Sequence, residues 1–232
     1  MPSAKASIAA KPSGKPVAKV AGVPKLVRGP HAGRTAAMQQ KLIEAAIQCL
    51  HEFGYAATTT QLVTDRAGVS RGAILHHYPT KVDLMVAVAE YAARYQNKSV
   101  RRLLADVPEG MPRFLALTEA TWDVVVQAPA MALLEIMMAT RADAVLAARL
   151  PNVVQAFESQ QSQDVWAMAE ALGIIDRPAI EAMVRLHRAA MRGLAIEFSL
   201  KDNRADVEAS VRLLEDYKRF VTGMLITAMP KG

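Results

Sequence analysis

The chain's 232 residues suffice for a sizeable buried core, as one large domain or as a small module joined to a larger one. Apolar residues make up 52%, yet no uninterrupted apolar run of about 18 residues occurs, which argues against a membrane span. The single cysteine, Cys49, rules out an internal disulfide and a cysteine-built metal cluster.

The net charge of +6 belongs to the start of the chain. Residues 1–34 hold seven Lys and Arg and no acid, residues 35–100 come to +1, and the remainder to −2. Residues 1–33 read as a disordered basic tail, because their lysines are spaced among Pro, Gly, Ser and Ala without the apolar periodicity that could offset the entropy of ordering. Such a tail is either a solvated leader or an arm that lies along nucleic-acid phosphate. It contains no continuous apolar segment of the secretory kind, so the expected location is cytoplasmic.

From Arg34 onward the pattern is helical. Leu42, Ile43, Ala46, Ile47, Leu50 and Phe53 recur at steps of three and four, and Gly54 is placed to end the helix as a left-handed residue. Cys49 lies among these apolar residues and reads as core. The following threonines supply an N-cap for two turns over "TQLVTDRA", with Leu62, Val63 and Ala67 facing inward. Gly68 breaks that helix. Ser70 then caps a short one, Arg71 to His77, which Pro79 stops at the Tyr78–Pro79 junction. "TKVD" is a capping box, Thr80 to Asp83, that opens a long helix with the stripe Leu84, Val88, Tyr91 and Tyr95.

Two short helices joined by a glycine turn, with Val63, Ala67, Val69 and Ile74 between them, match the helix-turn-helix signature. In that motif the second helix enters the major groove and its first residues meet base edges. Gly68 answers a need for positive φ. Gly72 weakens the short helix by up to about 1 kcal/mol relative to alanine, a cost that close approach to a DNA backbone would explain.

Beyond Arg101, Pro108, Gly110 and Pro112 mark a loop, and "RFLALTEATWDVVVQ" forms a helix ending near Ala128-Pro129. "AMALLEIMMATRADAVLAARL" continues the helical pattern, Pro151 interrupts or kinks it, and "NVVQAFESQQSQDVWAMAEALG" runs to Gly173. Two last helices, about Pro178 to Leu200 and Arg204 to Met229, are separated by the turn "KDN". Their stripes include Ile180, Met183, Val184, Leu186, Met191, Leu194 and Ile196, then Val207, Val211, Leu214, Tyr217, Val221, Leu225 and Ile226. The expected fold is all-α, with about nine helices: a three-helix domain carrying the helix-turn-helix over residues 34–80 and a larger helical domain over 81–232.

The segment "GYAATTTQLVTDRAGVSRGAILHHYPTKVDL", Gly54 to Leu84, resembles the DNA-binding domain of the TetR family of transcriptional regulators. The matching elements are Gly54-Tyr55, Thr58-Thr59, Ala67-Gly68-Val69-Ser70, Gly72, His77-Tyr78, Lys81 and Leu84. The resemblance implies a regulator, by default a repressor. It implies a homodimer formed through the last two helices, with residues 81–232 binding a small-molecule effector. A palindromic operator requires a dimer, since two recognition helices must reach half-sites about one helical turn (~34 Å) or a multiple apart. Two positions depart from the family. Leu75 stands where a tyrosine commonly touches a phosphate, which shifts that contact toward His76, His77, Lys81 and the tail, and Thr64 stands where alanine is frequent.

The candidate DNA-binding residues are Thr58, Thr59, Gln61, Ser70, Arg71, Gly72, Ala73, His76, His77 and Lys81. Arg71 is placed for a base edge, typically guanine. Thr58 and Thr59 are helix caps first, with a phosphate contact as an added use of the same helix start. Lys81 would reach a phosphate as a point charge. A metal at His76-His77 is not expected, because adjacent helical residues diverge by about 100° and no third ligand is near.

The middle helices are rich in methionine, at Met111, Met131, Met137, Met138, Met168, Met183 and Met191, with Trp122, Trp166 and Phe157 as candidate walls. Such residues fill an ordinary core or shape an adaptable pocket; the resemblance favours a pocket. Glu135, Arg141, His187 and Arg192 would orient a polar end of a ligand or pair with one another. The candidate effector pocket is Trp122, Glu135, Met138, Arg141, Trp166, Met183, His187 and Met191. No HExxH, paired Glu-x-x-His, nucleophile elbow or Gly-rich phosphate loop is present, so neither an enzyme nor a cofactor is expected. The alternative to a DNA reader is a helical ligand-binding or dimerisation protein without specific DNA binding.

Overall fold

Helix α1, Pro30–Ala57, buries Leu42, Ile43, Ala46, Ile47, Cys49 and Leu50 on one side. It begins four residues inside the stretch expected to be disordered; the rest of that basic tail, residues 1–29, lies outside what the computed structural model describes, residues 30–200 and 204–227. Gly54, at φ 71° and ψ 177°, leaves the helical conformation and separates a last turn from the body of α1. Phe53 departs from the expected stripe. It is exposed, with the Arg66 guanidinium 5.6 Å from its ring centroid and Arg66 paired in turn with Glu52.

Helix α2, Thr60–Ala67, starts where the Thr59 side chain accepts from the Leu62 amide at 3.1 Å. It ends at Gly68, left-handed at φ 59° and ψ 45°, whose amide returns to the carbonyls of Asp65 and Thr64. Helix α3, Arg71–His77, is capped by Ser70, whose Oγ accepts from the Ala73 amide at 3.2 Å. Each such cap contributes about 1 kcal/mol, a large share for helices of eight and seven residues that would not form alone. Helix α4, Lys81–Leu103, opens on the capping box of Thr80 and Asp83. Pro79 and this box fix where α3 stops and α4 starts.

The remaining helices are α5 Met111–Val125, α6 Ala128–Ala139, α7 Ala144–Ala171, α8 Arg177–Leu200 and α9 Arg204–Thr227. The described residues are thus all-α, with nine helices. The continuous pattern expected from Ala130 to Leu150 is broken at Thr140–Asp143. There the Thr140 hydroxyl turns back to the Met137 carbonyl at 2.7 Å and Asp143 Oδ1 caps α7 by accepting from the Leu146 amide at 2.9 Å. Pro151 lies inside α7, on its exposed side, and does not end it. The "KDN" turn and Met229 lie outside the described residues.

One core cluster joins α1 to α4 with α6 and α7: Leu42, Ala46, Val63, Ile74, Leu84 and Val88 pack in the same body as Leu133, Ile136, Leu146 and Leu150. At about 1.5–3 kcal/mol per fully buried large apolar side chain, this cluster ties the helix-turn-helix firmly to the larger domain. Phe114, Ile174, Ile180 and Met183 form a second cluster, and Trp122, Met191, Ala195, Val207 and Val211 a third. No single helix among the described residues is long and apolar enough to cross a membrane.

Candidate nucleic-acid interface and ligand cavity

The α2–α3 turn carries most of the residues expected at DNA. Thr59, Gln61, Ser70, Arg71, Gly72 and His76 are exposed, and Ala73 and His77 are half-buried. Gln61 Nε2 donates to Asp65 one turn on, at 2.8 Å, while Arg71, the first residue of α3, makes no ion pair among the described residues. A Cβ added at Gly72 would meet nothing nearer than Ser70 Oγ at 3.9 Å. No neighbour among the described residues demands glycine there. Leu75 is 44% exposed beside this surface.

Two expected contacts are not offered. Thr58 is 0% exposed and its hydroxyl donates to the Gly54 carbonyl at 2.7 Å, so it braces the turn before α2 and cannot reach a phosphate. The Lys81 ammonium is turned inward, donating to the Tyr55 carbonyl at 2.6 Å and lying 4.0 Å from the Tyr55 ring centroid. Desolvation pushes the Lys81 pKa down, against the pull of Asp143.

Lys81 belongs to a joint that sequence reasoning missed. Tyr55 donates its amide to Glu135 Oε1 at 2.8 Å and its hydroxyl to Asp143 Oδ2 at 2.6 Å. Burial, with that carboxylate beside it, holds the phenol protonated far into alkali. A Cβ on Gly54 would come within 3.1 Å of Glu135 Oε1, so this glycine is required both for its positive φ and for space. Arg149 reaches Asp83 at 2.7 Å, tying the capping box of α4 to α7. Glu135 therefore sits between the helix-turn-helix and the larger domain, a correction to its expected place in a pocket.

Between α4, α5, α6, α7, α8 and α9 lies a cavity of about 390 Å³. Of the expected pocket residues, Met183, His187 and Met191 line it, as do Phe157, Met137, Met168 and Arg192. Met138 and Arg141 point to solvent. Trp122 packs edge-on against Phe198 at 5.7 Å in the third cluster, and Trp166 lies under the Arg177 guanidinium. Neither Trp borders the cavity, because both helices turn their tryptophans toward α8 and α9 packing.

The polar residues lining the cavity include Thr118, His187, Arg188, Arg192 and Lys218, with Arg101, Asp164 and Gln161 also at its border. Glu158 receives both arginines, Arg188 at 2.5 Å and Arg192 at 2.8 Å, and Arg101 pairs with Asp164 at 2.8 Å. Lys218 is 3% exposed, donates to the Phe114 carbonyl, and has its pKa pushed down to about 7 by burial, opposed by Glu215. His187 Nδ1 donates to the Met183 carbonyl at 3.0 Å, and burial lowers its pKa, with Lys218 acting in the same direction. Three buried polar atoms of these lining residues have no partner among the described residues: Thr118 Oγ1, His187 Nε2 and Arg188 Nε. No group of three or more metal-type side chains occurs among those residues.

A capped pair of short helices, with an exposed arginine opening the second and a larger helical body behind, defines a helix-turn-helix protein. Residues 42–88 match the family model for bacterial regulatory proteins of the tetR family. An uncharacterized HTH-type transcriptional regulator of Mycobacterium bovis, Mb2936c, is 32% identical over 120 residues, 52% of this chain and 62% of the relative. The HTH-type transcriptional regulator CymR of Pseudomonas putida is 42% identical over 78 residues, 34% of this chain and 38% of that one. The chain thus spans somewhat under two thirds of the length of the first of these relatives. In fold, it is similar to a TetR transcription regulator from Haloarcula marismortui, with a TM-score of 0.62 at 20% identity over 78% of this chain and 96% of that one. Residues 42–88 are thus similar to the helix-turn-helix part of the tetR-family regulators, and the chain as a whole shares their all-α fold.

Proposed function

We propose that the chain is a homodimeric, sequence-specific DNA-binding regulator of transcription, a repressor released from a palindromic operator by a small molecule held in the cavity. The observation that carries this reading is the open N-terminal end of α3: Arg71 without an ion pair among the described residues, Gly72 with room for a side chain, and both beside the capping serine that holds the helix rigid. An arginine presented there has the reach and the two parallel N–H donors for guanine O6 and N7. Residues 34–80 form the reader and residues 81–232 the sensing and pairing part.

A second subunit accounts for the apolar surface of the last two helices. Leu186, Ala189, Gly193, Ile196 and Leu200 succeed one another at steps of three and four along α8, and Leu213, Tyr217, Phe220 and Met224 do so along α9; all nine are exposed in the single chain. Two apolar stripes side by side on neighbouring helices are the surface that a four-helix dimer contact would bury.

The sensing step is a consequence of how α4 is held. Its first residue, Lys81, is fastened to Tyr55 of the reader, and its last turns, at Gln96, Val100, Arg101 and Leu104, border the cavity. At 1.5 Å per residue these points lie about 22–35 Å from Lys81 along the helix and its C-cap. A ligand that displaces the cavity end of α4 moves the fastened end with it and changes the spacing of the two readers. To change occupancy usefully it must favour one arrangement by about 1–3 kcal/mol.

The test is fluorescence anisotropy of the purified protein with DNA from immediately upstream of its own gene, beside a scrambled duplex, across a salt series. Tight, salt-sensitive binding that favours the native duplex is expected, and Arg71→Ala should erase the preference. Equal weak binding to both duplexes, followed by failure of a random-sequence selection, would turn the reading to a helical ligand-binding protein that does not read DNA.

A further inference from the structure

The three partnerless atoms all belong to residues that line the cavity, and this is unusual for a protein interior, where a buried polar group without a partner costs about 1–3 kcal/mol. Thr118 is 3% exposed. A helical threonine can return its hydroxyl to the carbonyl one turn earlier. Here that carbonyl belongs to Phe114 and already receives the Lys218 ammonium. Arg188 spends its terminal nitrogens on Glu158 and Ser162, which leaves the Nε–H as a buried donor. His187 has committed Nδ1–H to Met183, so Nε2 is the ring atom that gains a proton when negative charge arrives beside it.

The charges of these lining residues do not balance. Arg188 and Arg192 share a single carboxylate, Glu158, and Lys218 has no ion pair among the described residues. The rest of the lining is largely apolar and includes Leu117, Leu133, Phe157, Met183, Val184 and Met191. The cavity therefore offers a few hydrogen-bond donors and positive charge set in a largely hydrophobic lining.

We infer that the cavity takes an organic monoanion, an apolar body with a single carboxylate head seated at Thr118, His187 and Arg188. The assignment rests on the reading of this cavity as the sensing site and names the chemistry of what it senses. One carboxylate satisfies the Arg188 Nε–H and the Thr118 hydroxyl together and offsets the surplus of the arginine pair. A neutral alcohol would leave that surplus in place, and a cationic head would add to it. A phosphate dianion asks for more positive charge than one shared arginine leaves over, since burial already disfavours the charged form of Lys218.

The test compares heads on constant bodies. Decanoate, 1-decanol and decyltrimethylammonium, and separately 2-naphthoate and 2-naphthalenemethanol, are titrated into the full chain by calorimetry below their aggregation concentrations. At least one carboxylate should bind once per chain and at least tenfold more tightly than its neutral and cationic counterparts. Arg188→Leu removes a donor but also loosens Glu158, so Thr118→Val is the variant that keeps the fold, its lost hydroxyl having no bond to break. It should weaken the carboxylate about tenfold and leave the alcohol unchanged. An alcohol or ammonium that binds as tightly as its carboxylate, a Thr118→Val protein that binds carboxylate at full strength, or no binding by either body would overturn the assignment. Operator binding is followed in parallel by anisotropy. A carboxylate that binds with these preferences yet leaves operator affinity unchanged upholds the ligand chemistry and counts against the cavity as a sensor.

Discussion

Lys81, the first residue of α4, donates its ammonium to the carbonyl of Tyr55 at 2.6 Å and covers the same residue's ring at 4.0 Å. Family resemblance places this lysine at a DNA phosphate; the geometry places it in the joint between the helix-turn-helix and the larger helical body. The two roles separate in a salt titration. Each phosphate a protein neutralises contributes about 0.9 to the slope of log affinity against log salt. Lys81→Met should leave that slope unchanged while costing about 1–2 kcal/mol of folding stability in urea, because the Tyr55 carbonyl loses its donor. A slope shallower by about 0.9 would return Lys81 to the DNA.

Arg71 makes the opposite prediction. It is exposed and joins no ion pair among the described residues, so its removal should not touch stability. Arg71→Ala should cost about 1–3 kcal/mol at one base pair of each half-site and relax preference there, with binding to scrambled DNA little changed. Competition against operators mutated one position at a time reads this directly. A uniform loss across all sequences would make Arg71 a phosphate contact instead.

The reader was legible in the sequence because its signals are local. Thr59, Ser70 and the Thr80–Asp83 pair each bond to backbone within three residues, and Gly68 answers a φ that few other residues adopt, so a short window contains cause and effect together. The joint was not legible. Tyr55 meets Glu135 eighty residues away and Asp143 eighty-eight residues away, and no periodicity announces such a meeting. Glu135 and Arg141 looked alike as charges in apolar surroundings, yet one bonds the Tyr55 amide and the other faces solvent. The break at Thr140–Asp143 was hidden because alanine, methionine and arginine around it are good helix formers, and only the Asp143 cap gives it away. Methionine content pointed to the right region for the cavity, while the atoms that give it chemical character, Thr118 and Arg188, became visible only once the helices were placed around them.

The exposed apolar face of α8 and α9, which the proposed dimer would bury, predicts the oligomeric state. Leu213 is 69% and Phe220 66% exposed in the single chain, so changing them should not disturb its interior. Leu213→Glu with Phe220→Glu should convert a dimer to a monomer in sedimentation velocity at micromolar concentration, with the far-ultraviolet circular dichroism retained. Operator affinity should fall steeply with it, because each recognition helix would then bind its half-site alone. A double variant that remains dimeric would place the subunit contact elsewhere.

Lys218 predicts a dependence of stability on pH whose sign is set by its burial. Its folded pKa is about 7, against the ordinary 10.5. Between those values the unfolded chain binds the extra proton and the folded chain does not, so this group makes stability rise as pH is raised from about 7 toward 10. Below 7 both states are protonated and its penalty on folding is fully present. His187, whose pKa burial also lowers, acts in the same direction but at and below its ordinary 6.5, so the window above pH 7 isolates the lysine from it. Lys218→Met keeps the volume and removes the charge. It should raise stability at pH 7 by about 1–3 kcal/mol, as loss of a buried, unpaired charge does, and it should flatten the rise between about pH 7 and 9.5. Urea unfolding at three pH values across that window supplies the comparison. A variant that unfolds at lower urea than the parent at pH 7 would mean that the bond to the Phe114 carbonyl and the contact with its ring, 4.2 Å away, outweigh the cost of the buried charge.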